Sequence, residues 1–274
     1  MIIVTGASGQ LGQELKRIAG QDYHFIDRSI VDFENIDTVK EFFNNSKIKG
    51  VIHGAAYTNV EQAEVEKSKA QKINVESTSV IAEMAKKHHY KMTYISTDFV
   101  FDGKKSTAYT EEDVTNPLNH YGLTKRDGEN AIIDTDGDYA IIRTSWVYST
   151  FGNNFIKKII KLSETQKTLK VIQDQIGTLT YARDLAQVIT RSADLQGMYH
   201  FSNEGVCSWY DVACEIKRAF KLDVEVIPVL SNEFATKAVR PHFSLLSKRK
   251  IKNDLNMQIT HWVDTLHEVA HQIK

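Results

Sequence analysis

A tyrosine and a lysine lie four residues apart in the stretch YGLTK, as Tyr121 and Lys125. On a helix this spacing puts the two side chains next to each other on one face. A free tyrosine titrates near pH 10, and a neighbouring cation lowers that pKa because it favours the phenolate. The pair could therefore act as an acid and base at a reacting oxygen. The spacing by itself is common in long chains, so a second signal is needed.

A glycine-rich loop, GASGQLG, follows the first apolar stretch of the chain and contains Gly6, Gly9 and Gly12. Glycines permit a tight turn and a close approach of the backbone to a ligand. The amphipathic stretch that follows would offer the unpaired N–H groups of a helix start to a pyrophosphate. The spacing fits the usual G-x-G-x-x-G pattern only in part, but its place between a predicted strand and a predicted helix favours dinucleotide binding.

Asp27 and Arg28 lie at the predicted end of the second strand, about 20 positions after the glycine loop. An acidic residue at this place bonds the ribose hydroxyls of the adenosine. A carboxylate disfavours the 2′-phosphate of NADP, whereas an adjacent arginine can hold it. The two residues therefore leave both NADH and NADPH open as the cofactor.

These residues need a scaffold, and the first half of the sequence alternates short apolar stretches with amphipathic ones. That pattern is typical of a parallel sheet covered by helices on both faces. It predicts strands at 2–5, 23–26, 50–53, 92–96 and 139–143, and helices at 10–19, 36–44, 60–87 and 121–133. The segment 60–87 is long enough for two helices or for one with a broken start.

Past about residue 146 the pattern becomes less regular. It predicts helices at 154–165, 181–193, 208–220 and 262–273, and strands at 199–201 and 224–229. We therefore predict an α/β fold with a Rossmann-type doubly wound parallel sheet over residues 1–148. A smaller mixed α/β domain over residues 149–274 would bind the substrate, with some of its segments returning to the first domain.

Composition and charge exclude several classes of function. The 34 Lys and Arg residues nearly balance the 35 Asp and Glu residues, so the net charge of -1 selects for neither nucleic acid nor an acidic membrane. No stretch approaches the about 18 uninterrupted apolar residues of a membrane helix, and the chain starts with MIIVTG instead of a basic segment. We expect a cytoplasmic protein that acts on a small molecule and binds neither nucleic acid nor membrane.

The glycine loop, the Ser96-Thr97 pair at the end of a predicted strand and the Tyr121/Lys125 pair together resemble the extended short-chain dehydrogenase/reductase family. Further stretches carry the resemblance through nearly the whole chain: HGAAYT at 53–58, ISTDFVF at 95–101, NHYGLTK at 119–125, RTSWVY at 143–148, GNNF at 152–155, DQIG at 174–177 and RPH at 240–242. The RTSWVY and GNNF stretches are similar to the branch that reduces nucleotide-linked 4-keto sugars.

The resemblance implies NAD(P)H-dependent reduction of the 4-keto group of dTDP-4-dehydro-6-deoxy-L-mannose to dTDP-L-rhamnose. Tyr121 would protonate the keto oxygen, Thr97 would orient the carbonyl, and Lys125 would hold the nicotinamide ribose and lower the pKa of the tyrosine. The implied substrate contacts are Asp98 and Trp146 at the sugar and Arg240 at the diphosphate.

The resemblance also extends the set of cofactor-binding residues beyond Gly6, Asp27 and Arg28. The implied contacts are Gly9, Gln10, Leu11 and Gly12 at the pyrophosphate, Asp32 and Phe33 near the adenine, Ala55, Ala56 and Tyr57 along the cofactor, Asn74 on a helix beside it, and Tyr121 and Lys125 at the nicotinamide ribose.

Two alternatives stay open: a sugar-nucleotide epimerase or dehydratase of the same fold, and a non-catalytic nucleotide-binding regulatory subunit. A dehydratase needs a second acid/base pair, which its relatives supply as Asp-Glu after the threonine, whereas Asp98 is followed here by Phe99. Some family members hold a metal through glutamates at a dimer interface. Glu14 fits one such position but Arg183 stands at another, so we predict no metal and leave a homodimer open.

Overall fold

Six strands form one parallel sheet in the computed structural model, which describes residues 1–273. The strands of the protein are β1 Ile2–Thr5, β2 Tyr23–Ile26, β3 Gly50–His53, β4 Lys91–Thr97, β5 Tyr139–Thr144, β6 Val147–Tyr148, β7 Thr168–Ile172, β8 Ile176–Gly177, β9 Thr180–Tyr181, β10 Gly197–His200, β11 Cys207–Ser208 and β12 Glu225–Val229. The sheet has the order β10-β5-β4-β3-β1-β2, and every pairing in it is parallel. The predicted Rossmann-type α/β fold is confirmed.

The helices are α1 Gln10–Ile18, α2 Ile36–Phe43, α3 Val60–Ala63, α4 Lys67–Gln71, α5 Ser77–His88, α6 His120–Ile133, α7 Phe155–Ser163, α8 Ala182–Thr190, α9 Trp209–Phe220, α10 Arg249–Asp254 and α11 Trp262–Gln272. The predicted helix at 60–87 is three helices, with a π-helical turn, Lys72–Glu76, between α4 and α5. None of the helices within residues 1–273 is long and apolar enough to cross a lipid bilayer.

The sheet is buried on both faces because alternate residues of each strand point in opposite directions. On β1, Ile3 joins a core cluster with side chains of α2 and α5, whereas Val4 joins a second cluster with side chains of α1, α8 and α10. The central strands are therefore buried on both faces: all four residues of β3 and five of the six residues of β5 are buried.

A third core cluster lies outside the sheet and is formed by α7, α9 and α11 with the parallel pair β7 and β12. The second half of the chain also returns to the main sheet. Strand β10 pairs with β5, and α8 packs against α1. Residues after 148 therefore contribute both to the sheet and to the smaller unit.

The position of α6 depends on a close approach at Gly122. A Cβ atom there would overlap the backbone carbonyl of Phe99, just past the end of β4. Asn119 fixes the start of the helix, because its side chain accepts a hydrogen bond from the Gly122 N–H at 2.8 Å. The helix can therefore carry Tyr121 this close to β4 only with glycine next to it.

Replacing Gly122 with Ala should lower the free energy of unfolding by about 1–3 kcal/mol, because backbone must move to admit the methyl group. Equilibrium unfolding in urea measures the change. The control is Gly20→Ala, where a Cβ would meet no atom of the described residues within 4 Å. Equal unfolding midpoints for the two variants would contradict the close approach.

Candidate active site

A cavity of about 630 Å³ opens at the carboxyl ends of β1, β3 and β4. The strand order reverses between β1 and β3, which is where open α/β sheets bind ligands. The predicted site residues that line this cavity are Gly6, Gly9, Gln10, Leu11, Gly12, Ala56, Thr97, Asp98, Tyr121, Lys125, Trp146 and Arg240. The structure thus brings the predicted catalytic, pyrophosphate and sugar residues to one place.

A smaller cavity of about 240 Å³ continues from the first and shares Gly6, Gly9 and Ala56 with it. Its remaining predicted residues are Asp27, Arg28, Asp32, Phe33 and Ala55. The two cavities together make an elongated crevice whose narrow end lies beside Asp27, the acidic residue that follows β2. This shape suits a dinucleotide with its adenosine at the narrow end.

The glycine loop leaves the start of α1 open toward the crevice. Gly6 has a φ of +75°, in the left-handed region that favours glycine. The residue at the helix cap is Gly9, so its own side chain cannot occupy the N–H groups of the first turn, and that turn, Gln10 to Gly12, contains no acidic residue. The helix start therefore fits an anionic pyrophosphate.

The residues at the narrow end of the crevice are compatible with both NADH and NADPH. The Asp27 carboxylate accepts hydrogen bonds from the Ser29 hydroxyl at 2.6 Å and the Ser29 N–H at 3.0 Å, which hold its pKa below the usual range. Arg28 is exposed beside it. A carboxylate that could bind ribose hydroxyls and a guanidinium that could bind a 2′-phosphate thus line the same cavity.

Asn74 and Tyr57 line neither cavity of the crevice formed by residues 1–273, so their contact with the cofactor stays a prediction. Asn74 is buried and bonds both the N–H and the carbonyl of Tyr57, at 2.8 and 3.2 Å, and the Thr124 hydroxyl at 3.0 Å. The Tyr57 phenol turns away and donates to Glu66 at 2.7 Å. Asn74 therefore shapes the loop after β3, and the adjacent Thr58, which ends the HGAAYT stretch but was not a predicted site residue, lines both cavities.

Asp98 presents an unused carboxyl oxygen in the crevice. The Thr97 hydroxyl donates to Asp98 Oδ1 at 3.1 Å and accepts a hydrogen bond from the Phe99 N–H at 3.2 Å. Asp98 Oδ2 is buried and has no hydrogen-bond partner within residues 1–273. Burial raises the pKa of Asp98 to about 7. The side chain can therefore accept or donate a hydrogen bond to a ligand near neutral pH.

Ser96 is the second buried side chain in the crevice whose oxygen lacks a partner in the described part of the chain. It precedes Thr97 on β4, so the two hydroxyls point to opposite faces of the strand. Buried polar groups in proteins are normally paired. The unpaired hydroxyl indicates that a polar ligand group completes this part of the site.

Tyr121 remains a neutral phenol under the influence of the surrounding protein. Burial raises its pKa to about 12, the charge of Asp98 acts in the same direction, and the Thr97 side chain opposes them. Desolvation is the largest influence on this pKa in the protein without ligands, and the lowering expected from Lys125 stays a prediction. A phenol with this pKa is protonated at neutral pH, as a proton donor must be before a ketone is reduced.

Lys125 is held one helical turn from Tyr121 and is 2% exposed. Its Nζ donates to the Ile95 carbonyl at 2.8 Å and lies 3.9 Å from the centre of the Tyr94 ring. Burial lowers the pKa of the ammonium group to about 7, and the negative charge of Glu129 opposes that shift. The lysine is thus poised between its charged and neutral forms, ready to gain charge when an anionic ligand enters.

Trp146 forms an aromatic wall of the cavity in a strained backbone conformation, with a φ of +47°. Such a conformation is rare for a bulky residue and is concentrated at functional sites. Its indole stacks on Trp209 with ring centres 3.8 Å apart and planes 15° apart. The Trp209 ring therefore also forms part of the wall of the site.

A third cavity, of about 730 Å³, shares Trp209 and Arg240 with the catalytic cavity. Its other lining side chains are apolar ones such as Phe155, Ile159, Leu162 and Val171, together with polar ones: Lys158, Lys170, Thr168, Thr236, Gln166 and Gln175. Arg240 therefore lies between a cavity with reactive groups and a cavity with mixed apolar and polar walls. The sequence did not predict this second compartment.

Glu14 and Arg183, the two positions compared with an interface metal site, both bond to other side chains of this protein. Glu14 is buried and accepts a hydrogen bond from the Ser149 hydroxyl at 2.5 Å. Arg183 pairs with Glu268 at 3.0 Å. Within residues 1–273, no group of three or more His, Cys, Asp or Glu side chains is arranged to hold a metal ion.

Comparison with known proteins agrees with this geometry. The model of the RmlD substrate binding domain family matches residues 1–274. The chain belongs to this family. The family resemblance predicted from the glycine loop, the Tyr121/Lys125 pair and the RTSWVY stretch is thus confirmed.

Relatives within the RmlD family match over nearly their full lengths. The spore coat polysaccharide biosynthesis protein SpsK of Bacillus subtilis is 38% identical over 271 residues, 97% of this chain and 95% of the relative. The dTDP-4-dehydrorhamnose reductase of Aggregatibacter actinomycetemcomitans is 35% identical and covers 98% of this chain and 97% of its own. The crystal structure of the dTDP-4-dehydrorhamnose reductase of Bacillus anthracis in complex with NADP is 35% identical, has a TM-score of 0.94 and covers 99% of this chain and 98% of its own.

Proposed function

We propose that this RmlD-family protein reduces the 4-keto group of dTDP-4-dehydro-6-deoxy-L-mannose to dTDP-L-rhamnose in the cytoplasm, with NADPH or NADH as the reductant. The observation that carries the proposal is the convergence of Thr97, Tyr121 and Lys125 with the glycine loop in one cavity. The reductase relatives and the NADP complex support the same reaction.

In this reaction the reduced nicotinamide supplies a hydride to C4 of the sugar. Tyr121 donates a hydrogen bond to the keto oxygen, and Thr97 orients the carbonyl once its hydroxyl proton rotates from Asp98 Oδ1 to the substrate. As negative charge develops on that oxygen, the Tyr121 proton moves to it and leaves a phenolate. Lys125, in its cationic form, holds the ribose next to the reacting carbon and stabilises the phenolate through its charge.

The sugar, the diphosphate and the nucleoside of the substrate would lie in turn in the catalytic cavity, at Arg240 and in the third cavity. The sugar lies in the catalytic cavity against Trp146, with a hydroxyl bonded to Asp98 Oδ2. Arg240 binds the diphosphate between the cavities, and its planar guanidinium suits two phosphate oxygens. The nucleoside lies in the third cavity, where the wall near Phe155 contacts the base and the amides of Gln166 and Gln175 supply hydrogen bonds.

The test follows absorbance at 340 nm with NADPH and NADH against a panel of dTDP- and UDP-linked 4-keto sugars, with products identified by NMR. We expect oxidation of the reduced cofactor with the dTDP-linked 6-deoxy sugar. No turnover with either cofactor would contradict the proposal. An epimerase or dehydratase would change the sugar without net consumption of cofactor, and a regulatory subunit would bind nucleotide without chemistry.

Affinity for NADPH should fall as the pH rises from 6 to 8.5, because Lys125, with a pKa of about 7 in the free protein, is increasingly neutral over this range. A charged donor binds ribose oxygens better than a neutral one by about 1 kcal/mol, or about fivefold in the dissociation constant. Fluorescence titration at each pH measures the effect. In Lys125→Met the dependence should disappear; if it persists there, another group causes it.

A further inference from the structure

Residues 234–240, named here the strap, form part of the wall of the third cavity and end at Arg240. Two side chains of the sheet domain hold it, Glu61 and Asn119, and Glu61 makes most of the contacts. Glu61 Oε2 accepts hydrogen bonds from the backbone N–H groups of Lys237 at 2.7 Å and Ala238 at 3.5 Å, and Glu61 Oε1 pairs with Arg240 Nη2 at 2.6 Å. A single carboxylate thus fixes both the backbone and the terminal guanidinium of the strap.

Glu61 is ionised when it makes these contacts. Partial burial raises its pKa, but the bonds from the Lys237 N–H and from Arg240 more than offset this and leave the pKa below its usual value. The pair is only partly accessible, with 24% of the Arg240 side chain and 38% of the Glu61 side chain exposed. Arg240 Nη2 and Glu61 Oε1 are close enough for an ion pair but are not aligned as a hydrogen bond, so the backbone donors to Oε2 are what distinguish Glu61 from an isolated surface pair.

Glu61 also connects the two sides of the crevice. It lies on α3, directly after Thr58 and Val60, which line the catalytic cavity, and Asn119 at the start of α6 bonds the Val239 carbonyl at 2.8 Å. The strap is therefore attached to the two elements that carry the cofactor-side loop and Tyr121. Loss of Glu61 would leave only the Asn119 bond among these attachments.

The ion pair with Glu61 uses only part of the hydrogen-bonding capacity of Arg240. A guanidinium has five N–H donors in a fixed plane. Here one end contacts Glu61, and Arg240 Nη1 donates to the Ala238 carbonyl at 3.4 Å, so the other N–H groups are available to phosphate oxygens. The carboxylate fixes the plane of the guanidinium before the ligand arrives, which reduces the entropy lost on binding.

We propose that Glu61 is a positioning residue for the nucleoside diphosphate: it orders the strap and holds Arg240 in the orientation that receives the diphosphate. The inference rests on the proposed function, because it takes the ligand of Arg240 to be a nucleoside diphosphate. The opposite role, in which Glu61 competes with the diphosphate for Arg240, predicts the opposite sign for every effect below.

The test compares Glu61→Gln with the unaltered protein, using dTDP as the probe in isothermal titration calorimetry and the dTDP-linked 4-keto sugar in steady-state kinetics. We expect about tenfold weaker dTDP binding and about a tenfold higher KM, equivalent to about 1.4 kcal/mol, with kcat and the affinity for NADPH retained. The matched control is Glu41→Gln on α2, an exposed glutamate that makes no side-chain hydrogen bond or ion pair in the described part of the chain.

Hydrogen exchange gives a readout that needs no ligand. The amides of Lys237 and Ala238 should exchange faster in Glu61→Gln and at the unaltered rate in Glu41→Gln. In a double-mutant cycle with Arg240→Ala, the two substitutions should be non-additive for dTDP binding, because Glu61 acts through Arg240.

Unchanged or tighter dTDP binding by Glu61→Gln, or full additivity with Arg240→Ala, would overturn the positioning role. Failure of the unaltered protein to bind dTDP would instead overturn the proposed function and, with it, the ligand assigned to the strap. The two failures are therefore distinguished by which protein loses binding.

Discussion

Replacing Tyr121 with Phe is expected to lower kcat for reduction of the dTDP-linked 4-keto sugar by about 10²–10⁴-fold, the usual contribution of a positioned proton donor. The phenol is protonated at neutral pH because burial raises its pKa to about 12, and Phe removes only its hydroxyl. The ring contact with Phe99, whose ring centre lies 6.0 Å away, does not depend on the hydroxyl, so the pocket should keep its shape. Steady-state absorbance at 340 nm measures the rate.

Affinity for NADPH should change little in Tyr121→Phe, since the glycine loop and Lys125 remain. The control is Tyr57→Phe, which removes a phenol that bonds Glu66 away from the crevice, and its rate should stay close to that of the unaltered protein. A Tyr121→Phe rate within about threefold of the unaltered protein would remove this residue from the proton transfer.

Breaking the buried pair between Arg143 and Glu129 is expected to cost about 3–5 kcal/mol of unfolding free energy. The guanidinium donates twice to the carboxylate, from Nε to Oε1 at 2.9 Å and from Nη2 to Oε2 at 2.7 Å. The two side chains are 5% and 2% exposed, so water cannot replace a lost partner. Arg143→Met would leave the Glu129 carboxylate buried without its main counter-charge, and Glu129→Met would do the same to the guanidinium.

The double variant Glu129→Met/Arg143→Met separates two contributions to the free energy of unfolding: the stabilisation from the ion pair, and the cost of one buried charge without its partner. Because it buries two apolar side chains and no charge, we expect it to recover most of the stability lost in either single variant. Urea unfolding of all four proteins gives the coupling energy. If the double variant is no more stable than the singles, desolvation is not what makes this pair costly to break.

This pair also bears on the site, because Glu129 lies on α6 one turn beyond Lys125 and its charge favours the ammonium form of that lysine. Arg143 lies on β5, next to the strand that ends at Thr97. The pair thus ties the helix that carries Tyr121 and Lys125 to the sheet. A stable double variant with a lowered kcat would show that positioning of α6, apart from stability, has a catalytic effect.

The sequence predicted the strands of the sheet well because each is short, rich in apolar residues and separated from the next by a helical pattern. The predicted ranges 2–5, 23–26 and 50–53 match β1, β2 and β3. In contrast, β7 was not predicted: its outward residues Thr168 and Lys170 are exposed, and the apolar residues between them are too few to signal a strand without its partner β12. Local pattern is informative where both faces are buried and weak where one face meets water.

The residues of the site also differ in how far the sequence could predict them. Residues whose chemistry needs a fixed local spacing, such as Tyr121 with Lys125, were predicted because one helix positions both. Contacts between distant segments left no local signal: Glu61 with Arg240 and Arg143 with Glu129 depend on packing. The family resemblance placed Asn74 beside the cofactor, but only the structure shows that its amide bonds the Tyr57 backbone and the Thr124 hydroxyl.

The pairing of β10 with β5 has a consequence for how the chain is made. Synthesis proceeds from the N-terminus, and β5 is complete long before Gly197–His200 leaves the ribosome. During that interval β5 is an open edge that carries Ile141 and Ile142, the kind of edge that recruits strands from other chains. The sheet is complete only once β10 has been synthesised, after α7 and β7 of the smaller unit, so residues 1–148 cannot be expressed as a separate module without exposing this edge.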